Sequence, residues 1–173
     1  MEYHPVLWEG GVGAFQARAT ELPEGLEVIP VTGDWEFIAE WSALPPGGGG
    51  RRGLALKGAD AGGLGGVESA ASLLWTWHAR CPQAMIELVI WGGVGTAEGA
   101  AAFLASGAGG VVFESLHWLT DALAVDVQWR RWLTRLRPEH TMVLGTELDL
   151  NYRVFDRGNS PVVRELSAQA LAW

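Results

Sequence analysis

The strongest chemical signal in the sequence is a glycine-rich turn. The stretch WGGVGTAE, residues 91–98, follows the apolar run MIELVI and precedes the alanine-rich GAAAFLAS. Adjacent glycines let a backbone approach a ligand closely, and the N–H groups and positive dipole end of the following helix point back at the turn. These features predict a phosphate site at Gly92 and Gly93, although a tight strand–helix turn without a ligand is the alternative. The turn has neither GxGxxG nor a P-loop Lys-Ser/Thr pair, which argues against nucleoside triphosphates.

Two neighbouring stretches carry residues of the same kind. Downstream, GAGGVVFES ends at Ser115, and upstream, LALKGADAGG places Lys57 at the end of an apolar run with Gly62 and Gly63 just beyond. In (β/α)8 barrels the loops after the last two strands commonly build a phosphate site, and the chemistry lies at the carboxyl ends of the strands. The order of the three stretches therefore predicts that they share one face of the fold.

The elements that must position these residues alternate between strands and helices from about residue 26. The predicted strands are LEVIPV, GLALKG, MIELVIW and GVVFES, and the helices between them begin near Asp34, Glu68 and Thr96. This alternation predicts βαβ units and a parallel sheet. Two architectures fit the pattern, a doubly wound open sheet and a (β/α)8 barrel. Pro82 and Gly107 are predicted to end the second and third helices.

The remaining stretches connect or follow these units. PPGGGGRR, residues 45–52, is predicted to be a flexible break between the first two units, because Pro and Gly cannot continue a helix. Beyond residue 120 the sequence predicts an amphipathic helix in DVQWRRWLTRL, a strand in YRVF, a turn in RGNSP and a final helix in VVRELSAQALAW. Residues 1–25 are assigned to a separate N-terminal segment, and residues 26–173 to the α/β domain.

Composition excludes several classes of function. The chain has 173 residues, 49% of them hydrophobic, with a net charge of −8. This charge argues against a nucleic-acid or anionic-membrane surface, and the sequence has no apolar run of about 18 residues. The single cysteine, Cys81, and the absence of a signal-peptide pattern predict a cytoplasmic protein. The four scattered histidines predict no metal site, and no GxSxG motif is present.

The three stretches together resemble a known family. KGADAGG (57–63) is similar to a KGxEAGG loop, GGVG (92–95) to a GGIG turn, and GAGGVVFES (107–115) to a GADGVVLxS/T strand. All three motifs occur in the nitronate monooxygenase-like flavin barrels. The branch attached to polyketide and polyunsaturated fatty acid synthases, which includes an enoyl reductase, is the more similar one. The resemblance covers roughly residues 50–160, the C-terminal half of such a barrel.

The resemblance implies a fold, a cofactor and a set of site residues. The fold is α/β, a partial or truncated (β/α)8 TIM barrel made of the last four βα units, and the cofactor is FMN. The FMN phosphate is expected at Gly92, Gly93 and Ser115. Nearer the flavin ring or substrate, the expected residues are Lys57, Gly58, Gly62 and Gly63. The implied partners are an acyl or small-molecule substrate and polyketide or fatty acid synthase components.

The sequence also departs from the family pattern. Leu64 and Ala59 stand where family members carry histidines, so no catalytic residue is assigned; Lys57 and Asp60 are the side chains left for proton transfer. Glu114 places a carboxylate beside the expected phosphate. A full barrel takes about 250 residues, so a half barrel is expected to associate through its exposed edges with itself or with a partner. Two alternatives stay open: a non-catalytic scaffold or docking module of a polyketide synthase, and a phosphosugar-binding barrel fragment.

Overall fold

The computed structural model describes residues 3–7, 11–21, 27–45, 52–148, 151–156, 158 and 160–172. These residues form an α/β fold with a five-stranded parallel sheet and a three-stranded antiparallel sheet. The strands are β1 (Tyr3–Leu7), β2 (Glu27–Thr32), β3 (Arg52–Lys57), β4 (Gly63–Gly65), β5 (Ile86–Trp91), β6 (Gly110–Val112), β7 (Thr141–Leu144) and β8 (Asn151–Phe155). The helices are α1 (Val12–Ala19), α2 (Trp35–Ala43), α3 (Ala70–Arg80), α4 (Ala97–Ala105), α5 (Val127–Leu133) and α6 (Pro161–Ala172).

The order of the parallel strands distinguishes the two predicted architectures. The order is β1-β2-β3-β5-β6, so each strand lies beside the next parallel strand in the sequence. A doubly wound sheet reverses its strand order at a switch point, and this sheet has no reversal. The predicted parallel α/β sheet is confirmed, and its order is consistent with part of a TIM-barrel wall. Among the described residues, β1 and β6 are the edge strands.

The structure changes three details of the predicted element order. Strand β1 and helix α1 form a fifth βα unit, where the sequence predicted four, and β1 pairs with β2 in parallel. Strand β6 ends at Val112 rather than at Ser115, because β5, the strand it pairs with, ends at Trp91, the partner of Val112. Strands β4 and β7 were not predicted. They pair with β8, and β4 is a GLG segment whose partner lies nearly ninety residues away.

Some predicted features lie outside the described residues. These are most of the PPGGGGRR break, at residues 46–51, and the domain boundary near residue 25, within residues 22–26. Two positions of the RGNSP turn, 157 and 159, lie outside as well. Among the helices that the structure does describe, none has the length and apolar character needed to span a membrane.

Alternation along the central strands sends successive side chains to opposite faces of the parallel sheet. Leu54 and Leu56 of β3 are fully buried and pack in the main core with the helices. Each such side chain contributes roughly 1.5–3 kcal/mol when it is removed from water. Ala55 faces the opposite way, in a smaller cluster with Ile29 and Val31. The helical side of the main core is formed by Val12, Phe15, Phe37, Ile38, Trp41, Ala70, Leu73, Leu74 and Trp77.

Side-chain caps fix where the helices begin, and therefore where the strand–helix loops end. The Asp34 carboxylate accepts from Glu36 N at 3.0 Å, and the Thr96 hydroxyl accepts from Gly99 N at 3.1 Å, which confirms both predicted caps. At the start of α3 the Ser69 hydroxyl accepts from Ser72 N at 3.1 Å. Such caps typically stabilise a helix by about 1 kcal/mol. Gly107, with φ +95°, follows α4 as predicted.

Candidate functional site

The glycine turn after β5 makes room for a carboxylate of this chain. Gly92 and Gly93 have φ values of +125° and +68°. A β-carbon added at Gly92 would lie 2.6 Å from Asp60 Oδ1, and one added at Gly93 would lie 2.4 Å from Asp60 Oδ2. Only residues without a β-carbon allow Asp60 to lie against this turn. The glycine pair therefore has a structural role independent of any ligand.

The loop after β3 is held against the same turn by backbone contacts. Gly58 N donates to Trp91 O at 3.0 Å, and the Asp60 carboxylate accepts from Ala70 N, also at 3.0 Å, at the start of α3. A β-carbon at Gly58 would lie 2.1 Å from Ala70 N, so the loop and the helix start are in direct contact. A carboxylate at a helix N-terminus is stabilised by the helix dipole. These contacts bring the loops after β3 and β5 together at one edge of the sheet.

Free amide groups remain in the turn despite the approach of Asp60. Gly93, Val94 and Gly95 donate no backbone hydrogen bond to any other residue that the structure describes. Gly95 is exposed, and a β-carbon there would meet nothing within 4 Å. Unpaired amides in a turn just before a helix, here before the Thr96 cap of α4, are of the kind that can donate to an anion. A phosphate site at this turn stays a prediction.

Two adjoining cavities lie over this edge of the sheet. One, of about 540 Å³, is lined by the glycine turn together with Ser115, Leu133, Arg137 and Phe155. The other, of about 520 Å³, is lined by Gly62, Gly63, Trp118 and Tyr152, and shares Asp60, Glu114, Ser115 and Arg153 with the first. Both volumes fall in the range of small-molecule sites. Five of the seven predicted site residues therefore line these cavities: Gly62, Gly63, Gly92, Gly93 and Ser115.

Charges of both signs face the cavities. Asp60 and Glu114 contribute carboxylates, while Arg137 and Arg153 contribute guanidinium groups. Glu114 Oε2 accepts from Gly62 N at 2.6 Å, which ties the end of β6 to the loop after β3. Arg153 Nε donates to the carbonyl oxygen of Ala59 at 2.6 Å. The positive charges of the two arginines offset the negative charges of the two carboxylates. An anion near Arg137 therefore meets positive as well as negative charge.

Lys57 and Gly58, the other two predicted site residues, line neither cavity. Lys57 is 6% exposed at the end of β3, and its Nζ lies 4.8 Å from the centroid of the Trp91 ring. Burial lowers the pKa of Lys57, and the negative charge of Glu114 opposes this shift. Gly58 is buried in the contact with Ala70. A ligand-binding role for either residue stays a prediction.

Sequence reasoning missed the arginines and aromatic residues on the far side of the cavities. Arg137 received no site role from the sequence, whereas it follows α5 and lines the larger cavity. Arg153 and Tyr152 belong to β8, whose partners β4 and β7 were not predicted. The alternation of YRVF identified the strand, but nothing local indicated that it crosses the carboxyl edge of the parallel sheet.

Comparison with known proteins supports the fold. No protein-family model matches the chain, and no curated protein matches it. Among solved structures, FabK from Thermotoga maritima matches with a TM-score of 0.70 at 19% identity, covering 98% of this chain and 52% of that one. A methionine-to-alanine mutant of the same FabK matches with a TM-score of 0.69 at 18% identity, over 96% and 50% of the two chains. The chain thus spans about half the length of these structures and shares the fold of that half.

Proposed function

We propose that this chain is an FMN-binding, oxidoreductase-like domain of the nitronate monooxygenase or enoyl reductase type, linked to fatty acid or polyketide synthesis. The observation that carries the proposal is the convergence of Gly92, Gly93 and Ser115 on one cavity, in a fold that matches half of FabK. These residues lie far apart in sequence, and the family resemblance assigned all three to the FMN phosphate. The proposal stands on this convergence together with the motif resemblance.

The residues around the larger cavity fit the phosphate end of FMN. The unpaired amides of Gly93 and Gly95, the hydroxyl of Ser115 and the guanidinium of Arg137 form a donor set typical of phosphate sites. When bound, FMN supplies hydride transfer to or from a small organic substrate. The apolar side chains that line the same cavity include Leu133 and Phe155, which exclude water from part of it.

This chain departs most from the family pattern in the residues available for proton transfer. No histidine occurs in the loop of residues 57–66, and Lys57 lines neither cavity. Asp60 and Glu114 are carboxyl groups that face both cavities, each accepting one backbone hydrogen bond. They are the candidate proton carriers of the proposed reaction, and no single catalytic residue is assigned between them.

The partners belong to the same proposal. An acyl or small-molecule substrate and the components of a fatty acid or polyketide synthase follow from the family resemblance. Strands β1 and β6 present unpaired edges among the described residues, and such edges favour pairing with a second copy or with another half barrel. The scaffold alternative is not favoured, because the FabK likeness and the cavity lining point to a ligand-binding domain.

FMN binding tests the proposal directly. We expect saturable quenching of flavin fluorescence when purified protein is added to FMN. Gly95→Asp should weaken FMN binding about tenfold or more, because it adds a carboxylate at the unpaired amides without steric conflict. Gly13→Asp is the matched control, since Gly13 on α1 is also open and lies outside the cavity linings. Absence of binding, or equal binding by the Gly95 variant, contradicts the proposed phosphate site.

Where FMN binds, activity is the second measurement. Oxidation of NADH or NADPH that depends on a crotonyl thioester would establish the enoyl reductase branch. Oxygen-dependent consumption of a nitronate would indicate the monooxygenase branch. Flavin binding without either activity would limit the proposal to a cofactor-binding domain.

A further inference from the structure

Lys57 is the only lysine in the sequence; all other basic side chains apart from histidine are arginines. It lies at the carboxyl end of β3, in the middle of the parallel sheet, and is 6% exposed. Its ammonium group makes no hydrogen bond or ion pair with another residue that the structure describes, and its recorded contact is with the Trp91 ring. A buried lysine is rare unless a partner stabilises its charge.

Trp91 presents a second donor without an acceptor. Its indole Nε1 is buried and has no hydrogen-bond partner among the described residues. Trp91 ends β5, and the register of the sheet places it directly beside Lys57. Partner residues on neighbouring parallel strands project to the same face of the sheet, and Trp91 packs there against the cluster of Ile29, Val31 and Ala55.

Lys57 Nζ and Trp91 Nε1 are adjacent hydrogen-bond donors, and neither has an acceptor among the described residues. This arrangement indicates that an acceptor atom is missing from the site. Buried polar groups in folded proteins nearly always have a partner, and an unmade hydrogen bond in a low-dielectric site is costly. Glu114 is the charged group that acts on Lys57 electrostatically, yet it forms no ion pair with it and is bonded to Gly62 N instead. The Lys57–Trp91 pair is therefore arranged to receive an oxygen from outside the described chain.

We propose that Lys57 Nζ and Trp91 Nε1 together form a subsite for a single ligand oxygen that carries or develops negative charge. The subsite lies at the carboxyl ends of two central strands, the edge where ligands bind in parallel α/β folds. It rests on the proposed function, because the oxygen belongs either to the pyrimidine edge of FMN or to the acyl carbonyl of a substrate. Trp91 thereby becomes a binding residue that neither the motifs nor the cavity linings identify.

The single lysine makes the test specific. Protein labelled with [ε-¹³C]lysine should give one side-chain resonance, that of Lys57, whose pKa can be followed by pH titration. Binding of an oxygen with negative charge should raise the pKa of Lys57, because an opposite charge favours the ammonium form. It should also shift the NMR resonance of the Trp91 indole N–H proton. That resonance is identified as the one that is lost in Trp91→Phe. FMN and a crotonyl-pantetheine thioester are the two probes.

The two probes separate failure of the subsite from failure of the proposed function. A change at Lys57 and Trp91 with either probe supports the subsite, and the probe that causes it identifies the source of the oxygen. If FMN quenches normally while neither probe moves either resonance, the subsite is wrong and FMN binding stands. If the thioester moves both resonances while FMN does not bind, the subsite stands and the flavin function fails. If neither probe moves either resonance and FMN fluorescence is not quenched, both the subsite and the flavin function are wrong.

Affinity provides an independent measurement. Lys57→Met and Trp91→Phe should each weaken the active probe about tenfold, since each removes one donor to the same oxygen. Trp75→Phe is the matched control, because Trp75 lies on α3 with 79% of its surface exposed. Equal affinity in the Lys57, Trp91 and Trp75 variants would overturn the subsite.

Discussion

Replacement of Gly92 by alanine tests the structural role of the turn after β5. The change places an L-residue at φ +125°, a region that such residues rarely adopt, at a cost of roughly 1–2 kcal/mol. The new β-carbon would also lie 2.6 Å from Asp60 Oδ1 and 2.9 Å from Ala61 N. Moving Asp60 away breaks its hydrogen bond to Ala70 N, which adds about 1 kcal/mol. We therefore expect a total destabilisation of about 2–3 kcal/mol.

Two neighbouring glycines separate the contributions. The β-carbon of Gly93→Ala would meet only the Asp60 carboxylate, so in an Asp60→Ala background only the backbone cost of about 1 kcal/mol should remain. In that background the new β-carbon of Gly92→Ala still lies 2.9 Å from Ala61 N, a steric conflict with the backbone. Gly92→Ala should therefore remain the more destabilising of the two changes. Gly95→Ala has open space and no positive φ, so its effect should stay within about 0.5 kcal/mol.

Urea unfolding followed by far-UV circular dichroism measures these differences, provided that the slopes agree between variants. For a chain of this length, 2–3 kcal/mol corresponds to a fall in Tm of about 4–12 °C. Equal stability of Gly92→Ala and Gly95→Ala would refute the steric reasoning. A Gly93→Ala effect that persists unchanged without Asp60 would show that the carboxylate does not occupy the turn.

Two further predictions concern buried polar groups. Because burial lowers the pKa of Lys57 below 10.5, the unfolded chain binds more protons between the folded value and 10.5, and stability from this group rises with pH across that window. The free energy of unfolding of Lys57→Met should therefore exceed that of the wild type most near pH 7, and the difference should shrink toward pH 10.5. Urea unfolding at a series of pH values measures this difference. Trp77→Phe removes the 3.0 Å hydrogen bond from Nε1 to the buried Ser42 hydroxyl and should cost about 1–2 kcal/mol, whereas Trp75→Phe at an exposed site should not.

Local features of the fold were readable from the sequence. Asp34 and Thr96 precede helical patterns and cap them as expected, because a cap depends only on residues two or three positions away. The apolar runs of β3 and β5 predicted buried parallel strands for a similar reason. Motif order also predicted that the stretches containing Gly92 and Ser115 share one face of the fold, and both residues line one cavity there.

Long-range contacts account for what was missed. The hydrogen bond from Arg153 Nε to Ala59 O joins residues 94 positions apart, and no local pattern encodes it. Likewise, Asp60 was expected in a loop, but its contact with Gly92 depends on the register that brings the ends of β3 and β5 level. The unpaired indole of Trp91 has the same origin, since burial of its Nε1 follows from packing across strands.

The strand order has a consequence for how such a fold can be divided. Each parallel strand pairs with the strand that follows the intervening helix, so the sheet grows by one strand and one helix at a time. An arrangement of this kind can be cut after any unit without leaving an unpaired strand in the interior, as happens when a repeat protein loses a repeat. A doubly wound sheet has no such property, because its first strand lies in the middle. Recombination or gene fission at the loops of this sheet would therefore leave pieces in which every interior strand keeps both of its neighbours.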